Sequence, residues 1–141
     1  MKSRLLLAAL PLLLAGCASD GTMTASWYGR ENQHGPTASG QRFDMYDYTA
    51  AHKTLPMGTI LSVRNPKTGK SVRVTVTDRG PFVHGRDLDL SYAAARDLGM
   101  IGAGVADLDI KKVGYDERYA KYWKHGQAPA VDRTTAKNEV N

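Results

Sequence analysis

Cysteine is nearly absent: of 141 residues only Cys17 carries a thiol. No intramolecular disulfide can form, so the fold rests on packing, and zinc sites built on paired cysteines are excluded. Long apolar runs are missing as well. The one candidate, Leu5 to Leu14, falls well short of the about 20 residues that a membrane-spanning helix needs. Charge of one sign never accumulates: 19 lysines and arginines are scattered among 14 aspartates and glutamates, for a net charge of +5. That pattern lacks the basic stripe of a nucleic-acid binder, and no nucleic-acid partner is expected. The four histidines show neither repeated spacing nor a cysteine partner, so no metal and no cofactor are expected. What remains suits one domain, as a monomer, whose mild basicity fits an anionic partner or plain solubility.

The chain opens with a processing segment. Lys2 and Arg4 make a positive start, Leu5 to Leu14 is apolar, and Ala15-Gly16 are the small residues of a cleavage site. Leu14-Ala15-Gly16-Cys17 resembles the lipobox of bacterial lipoproteins, which implies a removed signal peptide (1–16) and an acylated, palmitate-bearing Cys17. Such an anchor holds a protein on a membrane without spanning it. Ala18, where an aspartate favours inner-membrane retention in known lipoproteins, implies the periplasmic face of the outer membrane. Removal of Lys2 and Arg4 takes the net charge from +5 to +3.

Residues 17–22 read as a tether and 23–114 as the folded domain. Met23 to Tyr28 has the composition of a first strand, and Arg30 to Gln41 is a polar, glycine-rich loop. Phe43, Met45, Tyr46 and Tyr48 are expected to return the chain to the core. Thr59 to Asn65 and Ser71 to Thr77 form a hairpin around Pro66-Lys67-Thr68-Gly69. Ser91 is placed to cap a short helix over Tyr92 to Leu98, closed by Gly99, and Ala106 to Lys111 alternates as a last strand. Residues 115–141 are polar; Tyr115 to Lys124 reads as a short helix on the domain and the rest as a disordered tail. The spacing predicts a mainly β fold, a small barrel of about six strands with one short helix.

The end of the second hairpin strand has the most chemical promise. Val72, Val74 and Val76 alternate with Arg73, Thr75 and Thr77, and the same parity continued would place Asp78 on the core side or its rim. An aspartate there must be paired or hydrogen-bonded. Gly80 and Pro81 then stop the strand. Taken alone, Asp78 reads most simply as a turn cap.

Four stretches taken together alter that reading: Ala25-Ser26-Trp27-Tyr28-Gly29, Thr37-Ala38-Ser39-Gly40, Thr49 to Thr59 around Ala51-His52-Lys53, and Asp78-Arg79-Gly80-Pro81-Phe82 with Asp89-Leu90-Ser91. In this order, from about Thr24 to Val113, they resemble the rare lipoprotein A family of septal-ring lytic transglycosylases. The resemblance implies a double-psi β-barrel and an endolytic enzyme that cuts the MurNAc-GlcNAc β-1,4 bond of peptidoglycan without water, leaving a 1,6-anhydro end. It implies division proteins as further partners. Asp78 matches the family's catalytic aspartate and His52 its active-site histidine, with a hydrogen bond from His52 to Asp78 or to a substrate oxygen expected. Gln41 stands where the family pattern has a glutamate, which leaves Asp78 to act as acid and then base, its pKa raised by burial. Asp44 is a weaker substitute for that glutamate, and a turn role competes with it. Trp27 and Tyr28 could face a sugar ring or pack in the core. Arg79 could pair with Asp87 or Asp89 or face the substrate. The alternative function is a barrel that binds or remodels the wall without cutting it. The 27 residues after Gly114 are too few for the wall-binding repeat domain that some members carry.

Overall fold

The computed structural model describes residues 20–123. The leader, residues 17–19 of the expected tether and the tail beyond Trp123 lie outside the described residues, while Gly21 and Thr22, expected in the tether, already belong to the first strand. Six strands close into a barrel: β1 (Gly21–Tyr28), β2 (Thr49–His52), β3 (Thr59–Arg64), β4 (Ser71–Asp78), β5 (Leu88–Ser91) and β6 (Ala106–Tyr115). Their order around the barrel is β1-β5-β2-β4-β3-β6, with β6 closing on β1. β1 with β5 and β2 with β4 run parallel, and the other neighbours are antiparallel. This is the closed, mixed six-stranded barrel expected of a double-psi topology.

Alternation explains the core. Leu61 and Val63 of β3, Val74 and Val76 of β4, Leu88 and Leu90 of β5, and Leu108 and Ile110 of β6 are all buried in one cluster. Closure removes the exposed edges that so small a sheet would otherwise present. The β3–β4 hairpin is tied to the helix by Asn65, whose Oδ1 accepts from the Lys67 amide (3.0 Å) while its Nδ2 donates to the Leu98 carbonyl (2.9 Å). The helix α1 (Tyr92–Asp97) starts where Ser91 Oγ accepts from the Ala94 amide, and its run of Ala93, Ala94 and Ala95 lets it lie close against the barrel.

One expectation changes at the return to the core. Phe43 and Met45 are buried, but Tyr46 and Tyr48 are exposed, Tyr46 packing edge-on to Tyr92 and Tyr48 bonding Asp97. Beyond Tyr115 the chain forms a short 3-10 helix over Glu117–Tyr122, within the stretch expected to be a short helix on the domain. That segment packs against the start of β3 by way of Tyr119 and Trp123, both buried. It sits on Gly58, whose φ of +85° suits glycine and whose added Cβ would lie 2.7 Å from Tyr119 Cβ and 2.9 Å from the Asp116 carbonyl oxygen. Gly58→Ala should therefore lower stability by about 1–3 kcal/mol. Urea unfolding reads this as a lower midpoint with an unchanged slope.

Candidate active site

β2 and β4 do not keep register. Ala50 opposes Val76, yet Ala51 opposes Asp78, so Thr77 is the extra residue of a β-bulge. The slip moves Asp78 off the valine face. It shares the outer face of the barrel with Thr75 and Ala51, half-buried at the strand end, while Val74 and Val76 stay in the core. Of the two expected placements, core side or rim, the core side is excluded and Asp78 stands at the strand end, because period-two extrapolation holds only along an unbroken ladder.

The bulge also recruits a loop. Thr77 carbonyl oxygen accepts from the Ser39 amide (3.1 Å). With Ser39 held there, the neighbouring Ala38 amide donates to Asp78 Oδ1 (2.9 Å), and the Arg79 amide donates to the same oxygen (2.8 Å). Asp78 Oδ2 has no hydrogen bond among the described residues. The loop is tightened internally: Gln41 carbonyl oxygen accepts from both the Thr37 amide (2.9 Å) and Thr37 Oγ1 (2.7 Å), and the Thr37 and Ser39 hydroxyls are 2.8 Å apart. From outside, the segment after β6 clamps it. Tyr122 donates its hydroxyl to the Ser39 carbonyl, Tyr119 donates to Gln41 Oε1 (2.7 Å), and Trp123 Nε1 donates to the Met57 carbonyl (2.8 Å). Gln41 is therefore engaged by Tyr119 and makes no hydrogen bond to Asp78.

His52 ends β2. Its Nδ1 accepts from the amides of Leu55 (2.9 Å) and Thr54 (3.1 Å), which places the ring proton on Nε2. No hydrogen bond joins it to Asp78. Burial, and then the Arg79 guanidinium, hold its pKa below the ordinary 6.5, so the ring is neutral near pH 7. Arg79 pairs with neither Asp87 nor Asp89. Its Nη1 donates to the carbonyls of Leu55 (2.8 Å) and His52 (3.1 Å), bracing the turn that carries the histidine.

The remaining candidates divide. Trp27 packs against the barrel core, edge-on to Tyr92 at 5.8 Å. Tyr28 lies against Phe43 with ring centroids 4.4 Å apart, and its hydroxyl is buried. Burial and then the Asp78 charge push that phenol well above its usual pKa, which puts Tyr28 in the Asp78 neighbourhood. Asp44 is a turn residue: its Oδ1 accepts from the Tyr46 amide (3.0 Å) and from Gln33 Nε2 (3.1 Å), and these bonds lower its pKa. Nothing links it to Asp78. Phe82, four residues past Asp78, is 84% exposed. Among the described residues no three histidine, cysteine or carboxylate side chains are grouped to hold a metal ion.

A family model described as "Lytic transglycolase" matches residues 21–110. The chain belongs to this family. Within it, the chain falls with the rare lipoprotein A proteins. It is 55% identical over 93 residues to the Aquifex aeolicus "Probable endolytic peptidoglycan transglycosylase RlpA" and 48% identical over 93 residues to the Vibrio cholerae "Endolytic peptidoglycan transglycosylase RlpA". These matches cover 64% and 66% of this chain but only 41% and 35% of those proteins. Among solved structures, an aspartate-to-asparagine variant of Clavibacter michiganensis expansin in complex with cellohexaose superposes with a TM-score of 0.54 at 25% identity, covering 67% of this chain and 51% of that one. A Streptomyces papain inhibitor shares the fold at a TM-score of 0.51 and 22% identity, covering 67% of this chain and 97% of its own.

In this lytic transglycolase barrel the pH dependence of stability follows from His52. Its folded pKa is depressed, so the stability it contributes is present above the unfolded value of 6.5 and is lost as pH falls through the lower native value. Urea midpoints should drop between pH 7.5 and 5. The drop should be smaller in His52→Gln, where no ring titrates.

Proposed function

We propose that the protein is a lipid-anchored endolytic transglycosylase of peptidoglycan, cutting MurNAc-GlcNAc β-1,4 bonds and leaving 1,6-anhydro ends. The observation that carries it is the fixed Asp78 carboxyl, with Oδ1 held by two main-chain amides and Oδ2 open. One such group can serve both halves of the reaction. Asp78 in its acid form gives its proton to the glycosidic oxygen as the C1–O bond breaks. The 6-hydroxyl of the muramic sugar then attacks C1 and loses its proton to the Asp78 carboxylate, which restores the acid. The net change moves one proton from the 6-hydroxyl to the leaving oxygen, and no water is consumed.

Other residues serve binding in this proposal. Neutral His52 offers its Nε2 hydrogen to a sugar oxygen, and exposed Phe82 offers an apolar face to a pyranose ring. No acid is required at position 41, where Gln41 instead braces the loop through Tyr119. The lipobox-like start supports anchoring through Cys17 on the periplasmic face of the outer membrane, with division proteins as partners there.

Asp78→Asn tests the assignment, because the amide oxygen can still accept from Ala38 and Arg79 while the group can no longer carry the proton. Release of anhydromuropeptides from peptide-free glycan strands, followed by mass spectrometry, should fall by about 10²- to 10⁴-fold with the thermal midpoint little changed. Full activity in this variant would remove Asp78 from the mechanism.

A further inference from the structure

The chain after β6 adds groups that the family match does not cover. That match ends at residue 110, yet Tyr119 and Tyr122 of the 3-10 helix Glu117–Tyr122 bond the loop whose Ala38 amide holds Asp78. Those bonds use the two tyrosine hydroxyls and Gln41 Oε1. They leave uncommitted the amide nitrogen of Gln41 and the ring of Tyr122.

Gln41 is exposed, and its orientation is set. Oε1 accepts from the hydroxyl of buried Tyr119 (2.7 Å), while Nε2 makes no hydrogen bond among the described residues. A carboxamide pinned by its oxygen keeps both N–H donors for another partner. Tyr122 is pinned in the same way, by its hydroxyl on the Ser39 carbonyl, yet it stays 40% exposed. Lys121 Nζ stands 5.0 Å from the centroid of its ring, which gives that face an ammonium neighbour. A fixed aromatic loses little freedom when a ligand lies on it. Both groups border the acid. Ser39 holds the Tyr122 hydroxyl, and Ala38, whose amide holds Asp78 Oδ1, is the preceding residue, with Cα atoms about 3.8 Å apart. Gln41 closes the same turn, in which the Gly40 amide donates to the Thr37 carbonyl (2.9 Å).

We propose that Tyr122 and Gln41 form a sugar subsite beside Asp78 that takes an N-acetylated pyranose, the Tyr122 ring stacking on the sugar and Gln41 Nε2 donating to its acetamido carbonyl. This deepens the transglycosylase reading above and rests on it, since both sugars of the proposed substrate carry an acetamido group. A donor held for that carbonyl is left unpaired by a sugar with only a hydroxyl there, so the subsite discriminates as well as binds. Gln41 then has a binding task of its own where the family pattern has a glutamate. The other half of the subsite comes from chain beyond the family match.

The test is NMR titration of the purified protein with two β-1,4-linked probes, chitohexaose, whose sugars are N-acetylated, and cellohexaose, whose sugars are not. Wild type should bind chitohexaose about three- to tenfold more tightly, with the Gln41 side-chain amide and Tyr122 ring signals shifting. Gln41→Glu keeps an acceptor for Tyr119 but has no N–H to give. It should lose the preference for chitohexaose with affinity for cellohexaose no higher than in wild type. Tyr122→Leu should weaken both probes about three- to tenfold. Gln41→Glu decides the matter by itself should Tyr122→Leu fail to fold. A preference for chitohexaose that survives in Gln41→Glu, no preference in wild type, or unchanged affinities in a folded Tyr122→Leu overturns the proposal and leaves the Asp78 mechanism standing. Wild type that shows these binding effects yet releases no anhydro product from glycan strands keeps the subsite and overturns the transglycosylase reading.

Discussion

One extra residue in β4 organises the site. Without the bulge at Thr77, Asp78 would follow Val76 into the barrel, where a carboxyl is costly and no substrate could reach it. With it, the side chain turns to the outer face and the Thr77 carbonyl is freed to accept from the Ser39 amide. The amide of Ala38 then falls on Asp78 Oδ1. A register slip, a docked loop and an oriented acid are thus one event.

That arrangement needs a loop that holds still, and the loop is too polar to be held by burial alone. Hydroxyl and main-chain bonds among Thr37, Ser39 and Gln41 close it from within, and the tyrosines after β6 close it from outside. Gly58 permits the close approach of that outer segment. Arg79 does the same for the opposite wall, since its guanidinium ties down the carbonyls on both sides of the turn after His52. The charged groups around Asp78 are therefore braces more than direct partners. The Asp78 carboxyl is left with one oxygen fixed and one open.

Much of the architecture was legible in the sequence. The alternating valines of β4, the Pro-Gly turn, the serine cap of α1 and the alternation of β6 are local patterns, and local patterns survive folding into a closed barrel. β2 was not legible as a strand, because four residues with two alanines at the centre carry no period. The facing of Asp78 stayed open between core side and rim because a bulge is a property of two strands, β2 and β4, that lie far apart in the chain. Composition gives no sign that the hydroxyls of Tyr119 and Tyr122, in a polar stretch after β6, reach the loop holding the acid.

The central claim is that Asp78 transfers a proton without activating water. Its most direct test is to digest peptide-free glycan strands with the purified protein in water enriched in oxygen-18 and to weigh the new ends. The account predicts 1,6-anhydro-MurNAc ends free of the heavy isotope. New reducing ends carrying oxygen-18 would show hydrolysis and contradict it.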